Sequence, residues 1–214
     1  MASNASTPPR RSGLVQTRSR DTRRKLIDAA LKMWDTGSFE EAFEATTVAA
    51  IAQAAGVSKA TFYFHFANKQ EILLEMAWAT AGKMIEEADA GIRRGTPMLE
   101  LVDQLMKSMA RRVSRTPKTL VFRVVGEWSH LNPDVVARPA GVGVGFEAVI
   151  RYGQDCGTLP AELDVYELAA LLHAATLDAL VRWSASTQSA AVLRENLCRR
   201  ADVVLRGAVA SYSR

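Results

Sequence analysis

The stretch from Thr46 to Lys69, TTVAAIAQAAGVSKATFYFHFANK, constrains the fold of this chain more than any other part of it. Ala49, Ile51, Ala52 and Ala55 place small and apolar side chains at helical spacing, and Gly56 supplies the backbone freedom that ends a helix. Val57 anchors a turn, and Ser58 is placed to cap a second helix. That helix turns Ala60, Phe62 and Phe66 inward and leaves Lys59, Thr61, Tyr63 and His65 outward; Phe62, Phe64 and Phe66 together offer enough aromatic bulk for a small core. From Ala45 through Gln70 there is no Asp or Glu, although 23% of the chain is charged. Such a surface approaches a polyanion without like-charge repulsion, and double-helical DNA is the partner it implies.

Charge elsewhere is uneven. The formal total is only +4, yet the first 25 residues hold Arg10, Arg11, Arg18, Arg20, Arg23, Arg24 and Lys25 against the single acid Asp21. With Pro8, Pro9 and many small polar residues around them, residues 1–20 are expected to form a disordered basic arm, because too little apolar surface is present to offset ordering. Two uses stay open for it: a solvated tail, or an arm that follows phosphates or lies in a minor groove. The start lacks the apolar core of a secretory signal and no run reaches the length of a membrane span, so the expected location is the cytoplasm. Cys156 and Cys198 are too few and too far apart for a zinc cluster and are expected to remain thiols.

The remaining periodicity is helical, and the fold class expected is all-α. A first helix starts at Asp21 or Thr22, with Leu26, Ala29, Ala30, Met33 and Trp34 facing inward, and stops at Gly37. Asn68 and Glu71 form a capping-box pattern before a long helix from Lys69 to about Arg93, which Gly95 closes. Further helices are expected over residues 98–114, 117–131, 144–156, 165–186 and 190–211, with Pro117, Pro133, Pro139 and Pro160 marking the breaks. The organisation is then a basic arm (1–20), a helix-turn-helix domain of three helices (21–68) and a larger helical domain (69–214).

The order LIDAALKMW followed by TTVAAIAQAAGVSKATFYFHFANKQEIL, from Thr22 to Leu74, resembles the TetR family of bacterial transcriptional regulators. Ser38 to Ala45, SFEEAFEA, departs from the resemblance: the short connection usual there is lengthened by several residues. The resemblance implies a ligand-responsive regulator, most often a repressor, that holds a pseudo-palindromic operator as a dimer. It also implies that Tyr63 and His65 contact the DNA backbone, that Lys69 neutralises a phosphate, and that Thr47 contributes a hydroxyl. Lys59 and Thr61, in the first turns of the recognition helix behind the capping Ser58, are the candidates for base edges.

For the larger domain two sites are expected. Leu168, Leu171, Leu172, Ala175 and Ala179 on one helix, and Leu193, Leu197, Ala201, Val204, Leu205 and Ala208 on the next, form matching apolar stripes. Two such helices from each of two subunits would make a four-helix homodimer interface; the alternative is that they cover one subunit's own core. Trp78, Met84, Met106, Phe122, Trp128, Phe146, Tyr152, Leu177 and Trp183, with Glu127, His130, His173 and Asp178, supply large soft side chains and sparse polar groups. An effector pocket is built from such residues, and so is a core. Trp128 with Glu127 would suit a cationic aromatic compound, while the same set also suits a fatty-acyl or sterol-like molecule.

No cofactor or metal is expected. The G-V-G-V-G run at Gly141, Gly143 and Gly145 lacks dinucleotide-binding spacing and reads as a loop entering a helix. His65, His130 and His173 are not spaced as ligands, no nucleophile pairing can be argued, and enzymatic activity is not expected. A DNA-binding architectural or partner-regulated protein without a small-molecule effector is the second functional class left open.

Overall fold

The computed structural model describes residues 11–35, 38–129 and 142–212; the side chains of residues 11–17, 76, 127–129 and 211–212 also lie outside what it describes. Ten helices and no strand occur among the described residues: α1 (Arg11–Trp34), α2 (Phe39–Ala45), α3 (Val48–Ala54), α4 (Lys59–His65), α5 (Gln70–Arg93), α6 (Met98–Val113), α7 (Lys118–Ser129), α8 (Val142–Asp155), α9 (Val165–Ser184) and α10 (Ala190–Tyr212). The chain divides into two compact units, 1–72 and 73–214, and the division falls within α5.

In the first unit α1 packs against α2 and α3, and α3 against α4. Helix α1 begins at Arg11, so residues 11–20 are helical rather than a disordered arm. Adding residues to an existing helix is far easier than nucleating one, and Arg, Gln and Leu are good helix formers. Gly37, expected to end this helix, lies outside the described residues.

The lengthened connection is itself a helix. Ser38 caps α2 by accepting from the Glu41 amide at 3.5 Å. Phe39 and Phe43 are buried, and their rings meet Trp34 of α1 at centroid separations of 6.1 and 4.9 Å. Thr47 caps α3 through the Ala50 amide at 3.1 Å. Gly56 then takes φ +70°, a left-handed conformation that side chains strain to adopt, and Ser58 caps α4 through the Thr61 amide at 3.0 Å. Asn68 accepts from the Glu71 amide at 3.0 Å, as the capping pattern predicts. The Glu71 carboxylate returns to the amide of Ala67 rather than that of Asn68, at 2.9 Å.

The second unit is a helical bundle in which α9 touches α7, α8 and α10, and α6 touches α8 and α10. Its core is one continuous apolar cluster from Met84 to Leu205. Most of one face of α6 is submerged in it: Met98, Leu101, Val102, Leu105, Met106, Met109 and Ala110 are all buried. Helix α8 starts at Val142, so Gly143 and Gly145 lie inside a helix rather than in a loop before one. The glycine at 145 eases close packing there, since a Cβ would stand 3.3 Å from Met84 Cγ. Gly141 lies outside the described residues. No helix among those described is long and apolar enough to cross a membrane.

Candidate functional site

The first unit presents α4 from an anchored base. Phe62 and Phe66 are fully buried, and the Arg23 guanidinium of α1 lies 4.2 Å from the centre of the Phe66 ring. Arg23 Nη1 also donates to the His65 carbonyl at 2.6 Å, so α1 grips the end of α4 through both backbone and ring. The sequence counts Arg23 among the front charges and places it inside the first helix, but gives it no role there; its place three residues before the inward Leu26 sets it beside the inward stripe.

On this base Lys59 and Ser58 are exposed, and Thr61 is half-buried with its hydroxyl 2.8 Å from that of Ser58. Tyr63 is 51% exposed and Lys59 Nζ lies 5.8 Å from its ring centre. Burial, and then the nearby Arg23 charge, lower the His65 pKa below its ordinary value, so at neutral pH its imidazole is a neutral hydrogen-bonding group. Phe64 is 79% exposed and takes no part in the core. A helix of seven residues buries only one narrow stripe, here Phe62 with Phe66 just beyond the end, and Phe64 falls on the opposite side.

Lys69 is placed differently from its expected phosphate role. Its ammonium donates to the carbonyls of Phe43, Glu44 (3.3 Å) and Thr46 (3.2 Å), and sits 4.4 Å from the Phe43 ring centre. Its three donors thus meet three acceptors at the C-terminal end of α2, where helix carbonyls lack partners and the helix dipole favours a cation. Two of these acceptors, the Phe43 and Glu44 carbonyls, come from the residues that lengthen the connection.

The second unit holds a partly open cavity of about 120 Å³. Its wall is aliphatic: Met109 and Val113 from α6, Val121, Val124 and Val125 from α7, and Leu177 and Leu180 from α9. Thr80, Thr116, His173 and Thr176 bring polar atoms, and Arg112 is the one described lining residue with a permanent charge. Burial lowers the His173 pKa, which keeps its imidazole neutral near pH 7.

Of the residues expected to contact an effector, His173 and Leu177 line this cavity. Met106 and Phe146 are fully buried elsewhere in the core, and Tyr152 packs partly buried against it. Trp183 is buried beneath the Lys118 ammonium, whose Nζ lies 4.6 Å from its ring centre. Trp78 and Phe122 are exposed. Glu127 and Trp128 fall on α7, and their side chains lie outside the described residues, as does His130. The largest side chains fill space, and the cavity opens where valines and threonines leave it unfilled. Arg112 was missed although its signal was present: it follows Met109 by three residues and Leu105 by seven, on the inward stripe of α6.

The stripes expected at a dimer interface are occupied within one chain. Leu168, Leu172, Ala179, Leu193, Leu197 and Ala201 are buried in the core cluster, while Ala175, Val204 and Ala208 remain partly exposed. The most regular apolar stripe on a helix is the one its own chain covers first. The outer sides of α9 and α10 carry a different set: Leu171 is 54% and Val203 65% exposed, with Ala170, Ala174 and Ala210 also exposed.

Comparison with known proteins agrees with this arrangement. The family described as bacterial regulatory proteins, tetR family, matches residues 26–76. The HTH-type transcriptional regulator TcmR of Streptomyces glaucescens is 30% identical over 204 residues, covering 80% of this chain and 88% of that protein. Among solved structures, Thermus thermophilus FadR, a TetR-family repressor in complex with lauroyl-CoA, superposes with a TM-score of 0.73 at 22% identity over 86% of this chain and 94% of that one. Bacillus subtilis FadR with stearoyl-CoA gives 0.62 at 18% identity over 86% and 98%. With the helix-turn-helix unit and the length of the match taken together, the chain belongs to the TetR family of bacterial DNA-binding transcriptional regulators.

Proposed function

We propose that this chain is a repressor that binds a pseudo-palindromic operator as a homodimer and leaves it when a small, largely apolar effector fills the cavity of the second unit. The observation that carries the reading is the recognition helix α4. Its buried Phe62 and exposed Lys59 and Tyr63 turn hydrogen-bond donors outward within a stretch, residues 45–70, that contains no acid. In such units the first turns of the recognition helix reach base edges and the flanking groups hold phosphates, which gives Lys59 and Thr61 the first role and Tyr63, His65 and the Thr47 hydroxyl the second. One short helix reads few base pairs; two copies about one DNA turn apart read a selective site.

The exposed apolar faces around Leu171 and Val203 supply a surface for the second copy. The cavity favours control by a small molecule over a filled-core regulator, and the two FadR proteins, in complex with lauroyl-CoA and stearoyl-CoA, give precedent in this fold for ligands that carry an apolar chain. Release follows from differential affinity: an effector weakens DNA binding only by as much as it prefers the DNA-incompetent state, and operator DNA weakens effector binding by the same factor.

Selection of bound duplexes from a random pool, followed by footprinting, tests the reading. The expected product is an inverted repeat protected over both half-sites. Enrichment of no sequence over competitor DNA at moderate salt would refute it.

A further inference from the structure

We infer that the effector cavity selects a ligand with an apolar body of about one ring and a terminal carboxylate, held by the unpaired edge of the Arg112 guanidinium once the side chain turns toward it. This deepens the ligand-responsive reading above and rests on it. Arg112 lines the cavity, and only part of its head is engaged. Nη1 donates to Glu87 Oε1 at 2.7 Å and to Ser108 Oγ at 2.8 Å. Nε and Nη2 are buried and have no hydrogen-bond partner, and neither has Glu87 Oε2. Glu87 therefore fixes one corner of the guanidinium without closing a two-pronged pair.

The two unpaired nitrogens share the edge that carries two parallel N–H bonds, the geometry a carboxylate accepts in a bidentate fashion. Buried donors without partners are costly, so a ligand that satisfies both is favoured over one that satisfies neither. The other lining groups agree in sign. His173 is held neutral and Thr80, Thr116 and Thr176 are uncharged, so no acid among the described lining residues awaits a cation. The body of the ligand is set by the aliphatic wall and by the volume of about 120 Å³, close to that of cavities that take up a single benzene ring.

The test is calorimetric titration of the full-length protein with benzoate, benzyl alcohol and benzylamine, repeated with hexanoate, hexanol and hexylamine. In each series the carboxylate is expected to bind about tenfold or more tighter than the alcohol, and the amine weakest. Arg112→Lys keeps the charge but loses the fork, and is expected to bring carboxylate and alcohol to within about threefold of each other. Glu87→Gln removes the competing carboxylate and is expected to strengthen carboxylate binding while leaving the alcohol unchanged. That variant keeps the test decisive where substitution of Arg112 impairs folding.

Equal affinity for carboxylate and alcohol, preference for the amine, or an unchanged preference in Arg112→Lys would overturn the inference and leave the effector reading intact. Failure of all six compounds to bind a protein that still holds its operator would overturn both.

Discussion

The two units solve opposite problems with the same helical material. The first has little apolar area and fixes α4 by concentrated devices: the rings of Trp34, Phe39 and Phe43, the Arg23 clamp on Phe66 and His65, the Lys69 cap on α2, and three hydroxyl N-caps. The second has a broad core and leaves part of it unfilled. A surface that reads DNA gains from being held rigid before contact, since ordering on binding costs affinity. A unit that responds to a ligand needs the reverse, a space whose filling changes the balance between two packings. The difference teaches that close packing is spent where geometry must not change and relaxed where it must.

Substitutions can break that contrast, beginning with the largest effect. Phe62→Ala removes the fully buried anchor of α4 and is expected to cost about 3–5 kcal/mol, enough to unfold the small unit. In chemical denaturation the first unit should melt in a separate early transition while the helical signal of the second persists. Arg112→Ala, beside an existing void and part of a partly exposed ion pair, is expected to cost no more than about 2 kcal/mol by the same measurement.

Leu171→Glu or Val203→Glu places a charge on the outer face of α9 or α10 and spares the core. Sedimentation at micromolar protein should change from dimer to monomer with the helical content intact. Leu168→Ala, by contrast, should lower stability by about 2–5 kcal/mol, because that side chain is buried within the chain. The opposite pattern would return the interface to the inner stripes.

The two lysines near α4 sharpen the comparison further. Lys59→Ala should weaken operator binding and reduce the salt slope by about one, with stability unchanged. Lys69→Ala should leave that slope unchanged and destabilise the first unit by about 1 kcal/mol through loss of the α2 cap. The smallest expected effect is on pH. The folded pKa of His173 lies below its ordinary 6.5, so its neutral form is favoured in the folded state. The unfolded chain binds more protons in that window, so the contribution is complete above 6.5 and is lost as pH falls through the depressed folded value. Denaturant midpoints at falling pH should show this for the second unit, and His173→Asn should flatten the curve.

The helix-turn-helix was legible because its signals are local. Small residues at helical spacing, Gly56 at the turn and polar side chains at the caps act within a few residues of where they stand, and the structure uses Ser58 and Asn68 as that pattern implies. Phe64 carried a local signal, standing two residues from Phe62 and so on the far side of a helix that buries a single stripe, whereas Lys69 is decided at a distance, by carbonyls about 25 residues earlier in the chain. The same limit explains the second unit. Apolar stripes on α9 and α10 announce burial, but whether the covering surface comes from the same chain or another copy is a tertiary fact.

The sequence by itself determined the helical fold class, the reading head and its acid-free surface, since periodicity, capping and local charge are properties of neighbouring residues. Only the tertiary structure decided which apolar faces meet, where space is left unfilled, and that Arg112 borders it with two unpaired nitrogens. Cavities and buried charge belong to no segment of the chain. They arise where several helices fail to fill the volume they enclose.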